Sequence, residues 1–341
     1  MSKIKDKLMG NNFLMVITIA LFFVMYIAGM IIYGSKGFNT LQNLFNLFIT
    51  NAGLFVIAAG MTMVLIVGGI DISVGSTVAV TCMMLSDMMT NKNMNPVVAI
   101  LIVLIYGCVF GMVQGFLVSF LKIQPFIVSL AGMFFARGLT AVISLEMISI
   151  SNPGFLKFAQ FRLNLPFGGT VNKAGDYVAP YVYPTVIIAL LVVVIMFIVL
   201  RYTKFGRAVY AVGGNEQSAM LMGLNVRRTK FLVYSLNGLL TVIGGILYCM
   251  NILSGTTITA QGYEMEAIAG AVIGGTPLTG GAGNVFGTVF GVLIKALIER
   301  FVSFQGNVSS WWAKIIIAAL LAFFIILQSI LVMNKEKNLK S

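Results

Sequence analysis

Long apolar runs separated by polar stretches set the pattern of this chain and predict helices throughout. The first run is Phe13 to Tyr33, followed by runs from about Phe45 to Val67 and, past a glycine cluster, about Val74 to Met89. Two more cover about Val97–Leu121 and Phe126–Leu145, before a polar stretch, Glu146–Tyr181. A run over about Val182–Leu200 leads into a second polar stretch, Arg201–Lys230, and then a run over about Phe231–Leu253. The last three are about Met265–Ile273, which enters a second glycine cluster, Val285–Ile298 and Trp311–Val332. A helix needs about 20 apolar residues to cross a bilayer, and many of these runs suffice. Inside lipid every backbone N–H and C=O must be satisfied within the protein, so such runs fold as helices. A barrel would alternate apolar and polar residues over short segments, and these runs do not. The predicted fold class is all-α: a polytopic membrane helix bundle of about ten transmembrane helices with glycine-broken segments. Residues 1–341 form one membrane-spanning domain, because the polar stretches, roughly 30 to 36 residues long, are too short for cores of their own.

Composition supports the membrane reading. Of 341 residues, 59% are hydrophobic and 9% charged, against about 25% charged in soluble chains. The net charge of +12 with no histidine would point to nucleic acid in a soluble protein. Here the cations lie between the apolar runs and at the ends, where they orient the chain, so no nucleic-acid partner is expected. Lys3, Lys5 and Lys7 at one end, and Lys335, Lys337 and Lys340 at the other, place both termini in the cytoplasm. Ten crossings satisfy that condition. They also put Lys122 and the 201–230 segment inside, with 146–181 and Ser254–Tyr263 outside. Lys36, Lys92, Lys157, Arg162 and Lys173 fall outside and oppose the rule, the last three in a longer loop where it carries little weight. The first run is too long for a secretory signal and is followed by no small-residue cleavage site.

Catalytic and metal chemistry find no support. Cys82, Cys108 and Cys249 lie inside apolar runs without metal-ligand spacing and read as small buried hydrophobes. Without histidine there is no nucleophile–His–acid set. The glycine-rich segments lack the lysine of a phosphate-binding loop, so no ATP site is expected on this chain.

The glycine clusters carry the sharpest signal. Gly68-Gly69-Ile70-Asp71-Ile72-Ser73-Val74-Gly75 resembles Gly274-Gly275-Thr276-Pro277-Leu278-Thr279-Gly280-Gly281: two glycines, three residues, a hydroxyl, one residue, glycine. Paired glycine-interrupted segments mark the broken helices that line a substrate path in two-fold transporters. Glycine also serves close helix packing, which is the alternative. Asp71 costs about 2.5–3.5 kcal/mol near a helix centre on insertion scales. It either caps a new helix N-terminus, together with Ser73, or lines the path. Glu264 and Glu266 begin the eighth run, where the helix dipole favours acids. Arg137, inside the fifth run, needs a carboxylate, backbone carbonyls or water, and Asp71 is one available partner. Asn51, Gln114 and Asn237 read as glue between helices or as path-lining groups.

Between Arg201 and Lys230 a short amphipathic helix is expected. Asn215 is its N-cap, Glu216 to Met222 its body, and Gly223 its left-handed end. It either lies on the membrane surface or docks into a groove on a soluble subunit.

These residues resemble the permease subunits of bacterial ABC sugar importers of the ribose, galactose and xylose type. The likeness runs through Gly60-Met61-Thr62, Gly68 to Ser76, Thr203 to Arg207, Ala211 to Asn215, Glu264 to Ala269, and Gly274-Gly275-Thr276 with Gly280-Gly281. Ala131 to Gly138 and Ser309-Ser310-Trp311-Trp312 are most similar to a galactofuranose-importer permease. The resemblance implies a cytoplasmic ATPase pair holding ATP and Mg, an extracytoplasmic sugar-binding protein, and a second permease chain, identical or paralogous. It implies that Gly213, Gly214, Asn215, Glu216, Ala219 and Gly223 belong to the element touching the ATPase. Glu266 stands where the family more often has aspartate. An ion-driven secondary transporter, with relay residues along its spans, and an amino-acid importer permease are the alternatives.

Overall fold

The computed structural model describes residues 13–171, 177–306, 309 and 311–340. Lys3, Lys5, Lys7, Lys173 and Ser310 lie outside the described residues, as do the side chains of Lys335, Lys337 and Lys340.

Each apolar run is a helix. They are α1 (Phe13–Tyr33), α2 (Leu41–Ile66), α3 (Val74–Ser86, continued by a wider turn to Asn91), α4 (Pro96–Ser119) and α5 (Pro125–Ile143). After a short α6 (Pro153–Ala159) come α7 (Pro184–Tyr202), α8 (Lys204–Gly214), α9 (Glu216–Leu221) and α10 (Val226–Ile252). The chain ends with α11 (Tyr263–Ile273), α12 (Val285–Gln305) and α13 (Trp311–Lys340). Proline opens α4, α5, α6 and α7, where its missing N–H is tolerated. Among the described residues the only strands are two-residue pieces paired into three small ribbons, such as Ile148–Ser149 with Ser254–Gly255. The all-α expectation needs only that amendment.

Several ends move outward from the sequence expectation. α2 starts at Leu41 because Thr40 caps it, its side chain accepting from the Asn43 N–H. α10 starts at Val226 because Asn225 caps it in the same way. The 201–230 stretch holds a helix, α8, that the hydropathy pattern missed. Thr203 caps it, accepting from the Gly206 N–H.

Among the described residues six helices are long and apolar enough to cross a membrane: α1, α2, α4, α5, α7 and α10. They divide by burial. In the most apolar stretch of α2, 94% of residues are enclosed by protein, and 67% in α10, against 17–33% in the other four. α2 and α10 are therefore the axis of the bundle. α3 and α11, short and almost wholly buried, are enclosed with them. The outward faces of α4 and α5 expose Val97, Leu101, Ile105, Phe134 and Phe135, as lipid contact requires.

Lipid supplies no hydrophobic drive between apolar helices, so close backbone approach must hold them. Gly107, Gly111 and Gly115 form one stripe on α4 against α10. A Cβ on Gly111 would sit 2.6 Å from the Tyr234 carbonyl, and one on Gly115 2.7 Å from that of Phe231. Gly53 of α2 and Gly244 of α10 meet in the same manner, each within 2.7 Å of the other's carbonyl. Gly138, on the open face of α5, has nothing within 4 Å. Gly111→Ile is expected to destabilise the detergent-purified protein by about 1–3 kcal/mol, read as a lowered unfolding midpoint. Gly138→Ile should leave it unchanged, and equal losses at both positions would contradict this packing.

Candidate functional site

The first helix break follows α2. Gly68 takes a left-handed conformation, φ 85°. Its N–H donates to the Leu65 carbonyl (2.9 Å), and that of Gly69 to Val64 (3.0 Å). This is the two-bond glycine cap that satisfies the last carbonyls of a helix. Beyond it Asp71 is 2% exposed. Its Oδ1 accepts from the Ser73 N–H (2.9 Å) and Ser73 Oγ (2.6 Å), and its Oδ2 from Asn237 Nδ2 (2.7 Å). Gln114 Nε2 donates to Ser73 Oγ (2.8 Å). The carboxylate thus receives a free backbone donor at the start of α3 and ties that break to α4 and α10. Gln114 and Asn237 act here as glue between helices.

The second break, after α11, repeats the turn. Gly275 has φ 96°. Its N–H donates to Val272 (2.9 Å) and the Thr276 N–H to Ala271 (3.0 Å). The structural match therefore pairs Gly68 with Gly275, not with Gly274, one residue out of step with the sequence pattern. Thr279 is exposed whereas Ser73 is buried, so the shared hydroxyl is a coincidence of spelling. The turn is decided by which glycine must be left-handed, and in the second cluster that is the later one.

The two breaks meet. The Gly281 N–H donates to the Ile66 carbonyl at 2.8 Å, and a Cβ on Gly280 would lie 3.0 Å from the Gly68 nitrogen. The end of α8 closes the group. A Cβ on Gly213 would overlap the Ile66 carbonyl oxygen and lie 2.9 Å from the Gly281 nitrogen, and one on Gly281 would lie 2.9 Å from the Gly214 Cα. Tyr210 Oη donates to the Gly283 carbonyl (2.8 Å). Three glycine clusters far apart in sequence share one junction of bare backbone, which side chains would hold apart.

Glu264 and Glu266 sit in the first turn of α11, as expected. Glu264 packs against Gly75, where a Cβ would overlap its carboxylate. Glu266 does more than answer the helix dipole. It pairs with Lys295 at 2.8 Å, and Lys295 also pairs with Glu299 (2.9 Å) and donates to Asn51 Oδ1 (3.3 Å). Lys295 is 4% exposed, and a buried cation must be matched in this way. The sequence reading did not single it out. A lysine inside the apolar Val285–Ile298 run was the available signal.

Arg137 does not reach Asp71. It donates to the carbonyls of Thr257 (2.7 Å) and Thr259 (3.0 Å), in the non-helical segment between α10 and α11. That segment runs beside α3, with Gly255 against Met83 and the Ala260 carbonyl 2.8 Å from a Cβ placed on Gly75. Irregular backbone enclosed among helices needs such a donor.

The short helix predicted after Asn215 is present as α9. Asn215 Oδ1 accepts from the Ser218 N–H (2.8 Å), and Gly223 is left-handed at φ 80°. Glu216 pairs with Lys230 at 2.6 Å, tying α9 to α10. Ala219 is buried, so it anchors the helix and does not present itself to a partner. Met220, Leu221 and Met222 are exposed instead, Leu221 at 88%. They form an apolar tip, the apolar side expected of an amphipathic helix over Glu216 to Met222.

Broken, glycine-jointed helices inside a lipid-facing ring, with no soluble domain among the described residues, define a polytopic membrane protein of the transporter class. Residues 41–325 match the family described as branched-chain amino acid transport system / permease component, and the chain belongs to that family. It is 40% identical to the inner membrane ABC transporter permease protein YjfF of Escherichia coli strain K12, covering 93% of this chain and 92% of that one. It is 34% identical to the fructose import permease protein FruG of Bifidobacterium longum (91% and 88% covered), and 35% to the ribose import permease protein RbsC of Escherichia coli strain K12 (89% of each). No solved structure matches.

Lys295→Met would leave Glu266 and Glu299 facing each other with no cation between them. A loss of about 3–5 kcal/mol is expected, seen as a lower unfolding midpoint. Adding Glu266→Met should recover part of it, and a double variant no more stable than Lys295→Met would contradict the pairing.

Proposed function

We propose that this chain is the membrane-spanning permease subunit of an ATP-binding-cassette importer for a monosaccharide, in the bacterial inner membrane. The observation that carries the reading is the glycine junction. It joins the segment before α9 directly to both helix breaks, so that a push on α9 reaches the centre of the bundle. The named cargoes of the relatives, fructose and ribose, favour a sugar over the amino acids of the family description. The motifs at Ala131–Gly138 and Trp311-Trp312 make galactofuranose the first sugar to assay.

In this reading ten helices cross the membrane, both termini are cytoplasmic, 201–230 is the cytoplasmic coupling segment and 146–181 the extracytoplasmic loop. ATP and Mg bind a separate ATPase, and this chain holds no cofactor. A sugar-binding protein delivers substrate from outside, and a second permease chain completes the pathway. The exposed Met220–Met222 tip, flanked by Glu216, is the surface offered to the ATPase. Movement of α9 pulls on Gly213–Gly214, shifts both breaks together and opens the path to one side at a time. Asp71, Ser73, Gly75, Glu264, Gly274 and Gly280 border the parts that move. Asp71 acts as the cap that keeps the first break intact, since its oxygens are occupied by protein donors.

Uptake into proteoliposomes holding the chain, the second permease chain and the ATPase, with the sugar-binding protein supplied outside, should require ATP and stop when the ATPase is omitted. Uptake that persisted without ATPase and fell with an ion gradient would refute the reading. Glu216→Arg, which sets a cation against Lys230, and Gly223→Trp, which forces a bulky residue into a left-handed turn, should each lower uptake by about tenfold with membrane insertion retained. Unchanged uptake in both would refute the role of α9.

A further inference from the structure

We propose that the non-helical segment between α10 and α11, with Arg137 of α5 and Glu264 of α11, is the wall that this chain contributes to the sugar path. Arg137, Gln261 and Glu264 hold the passing sugar by its hydroxyls. The segment lies at membrane depth. Gly255 meets Met83 near one end of α3, and the Ala260 carbonyl lies 2.8 Å from a Cβ placed on Gly75, in the first turn of that helix. From Gly75 to Met83 the helix rises about 12 Å, so the segment descends into the bundle before α11 begins at Tyr263. Arg137 holds it by the carbonyls of Thr257 and Thr259. That arginine stands about 9 Å of helical rise from the end of α5 at Ile143, within a helix long and apolar enough to span.

Non-helical backbone at that depth is tolerated only against protein or beside water. Thr259 and Ala260 are buried, but Ile258 is 72% exposed, Met265 55%, and Gln261 between them is exposed as well. Charge decides what covers this open side. Arg137 and Glu264 are both half-buried, and each feels the other's charge. Among the described residues neither forms an ion pair. Lipid or a dry protein contact would strand both charges. Water and the hydroxyls of a sugar, which donate and accept, answer both. The Thr257 and Thr259 carbonyls engage Nη1 of Arg137, and a guanidinium carries further N–H donors on its other nitrogens. Glu264 Oε2 lies over Gly75, where a Cβ would overlap it, so bare backbone seats the carboxylate beside the segment. Gln261 adds an amide that both donates and accepts. One cation, one anion and an amide carry no net charge between them, which suits an uncharged polyol.

The inference rests on the importer reading, and its first test needs no transport. Cys108→Ala removes the one cysteine that is not buried. In the complete importer on that background, Gln261→Cys and Ile258→Cys should react with a membrane-impermeant methanethiosulfonate in at least one nucleotide state, read on this chain by mass spectrometry. Ile105→Cys, exposed on the outward face of α4, should not react. Protection of Gln261→Cys and Ile258→Cys in every nucleotide state overturns the proposal, because lipid or the partner permease then covers the segment. The second test measures uptake of ribose, fructose and galactofuranose together with ATP hydrolysis stimulated by the loaded sugar-binding protein. Glu264→Gln, an isosteric change, and Gln261→Ala, at an exposed position, should each lower uptake about three- to tenfold with stimulated hydrolysis retained. Glu264→Asp should recover part of the loss. Unchanged uptake in both variants overturns the sugar contacts. Wild-type import of leucine in place of the sugars, lowered by Glu264→Gln, overturns them too and gives the charge pair to a zwitterion. A wild-type importer that carries none of the three sugars, or carries one without the ATPase, while Gln261→Cys is still labelled, would sink the importer reading and leave the water-lined wall standing.

Discussion

The backbone hydrogen bond from the Gly281 N–H to the Ile66 carbonyl, 2.8 Å long, is the constraint on which the rest of this structure depends. It can form only because α2 and α11 both stop inside the bundle on a left-handed glycine, and because the residues around it carry no side chains. Gly213 rests on the same carbonyl oxygen, so the end of α8 is part of the junction. Backbone contact of this kind is short and stiff. In the proposed coupling role, a displacement of α8 would be passed to both breaks without side-chain rearrangement to absorb it.

Polar side chains in the bundle follow from the same breaks. Irregular backbone frees polar groups inside the bundle, and an ionisable residue answers them at the first break and in the segment between α10 and α11. Asp71 accepts from the donors at the head of α3, while Arg137 donates to the carbonyls of Thr257 and Thr259. Lys295 with Glu266 and Glu299 is a separate solution, in which one buried cation is answered by carboxylates from two helices. These residues are few because lipid tolerates few.

Much of the fold was legible in the sequence, because a bilayer demands long apolar runs and turns hydropathy into helix positions almost directly. The α9 turn was legible for a different reason. Asn215 and Gly223 are residues whose local chemistry starts and stops helices whatever surrounds them. α8 was not legible, since its basic residues and paired glycines dilute the apolar signal that its packing against α7 makes use of. The register between the two glycine clusters was also hidden, because spelling does not reveal which of two adjacent glycines is left-handed. Partners lay furthest out of reach. Nothing near Arg137 or Lys295 in sequence names Thr257 or Glu266, which only the folded chain brings alongside.

The junction is tested most directly by measuring ATP hydrolysis and sugar uptake together in proteoliposomes carrying Gly213→Ala in the complete importer, with the partner ATPase, the second permease chain and the sugar-binding protein. The added methyl would meet the Ile66 carbonyl and wedge α8 away from both breaks while leaving the α9 surface intact. Hydrolysis is expected to stay within about twofold of wild type while uptake falls by about tenfold or more. Uptake and hydrolysis both at wild-type levels would contradict the account.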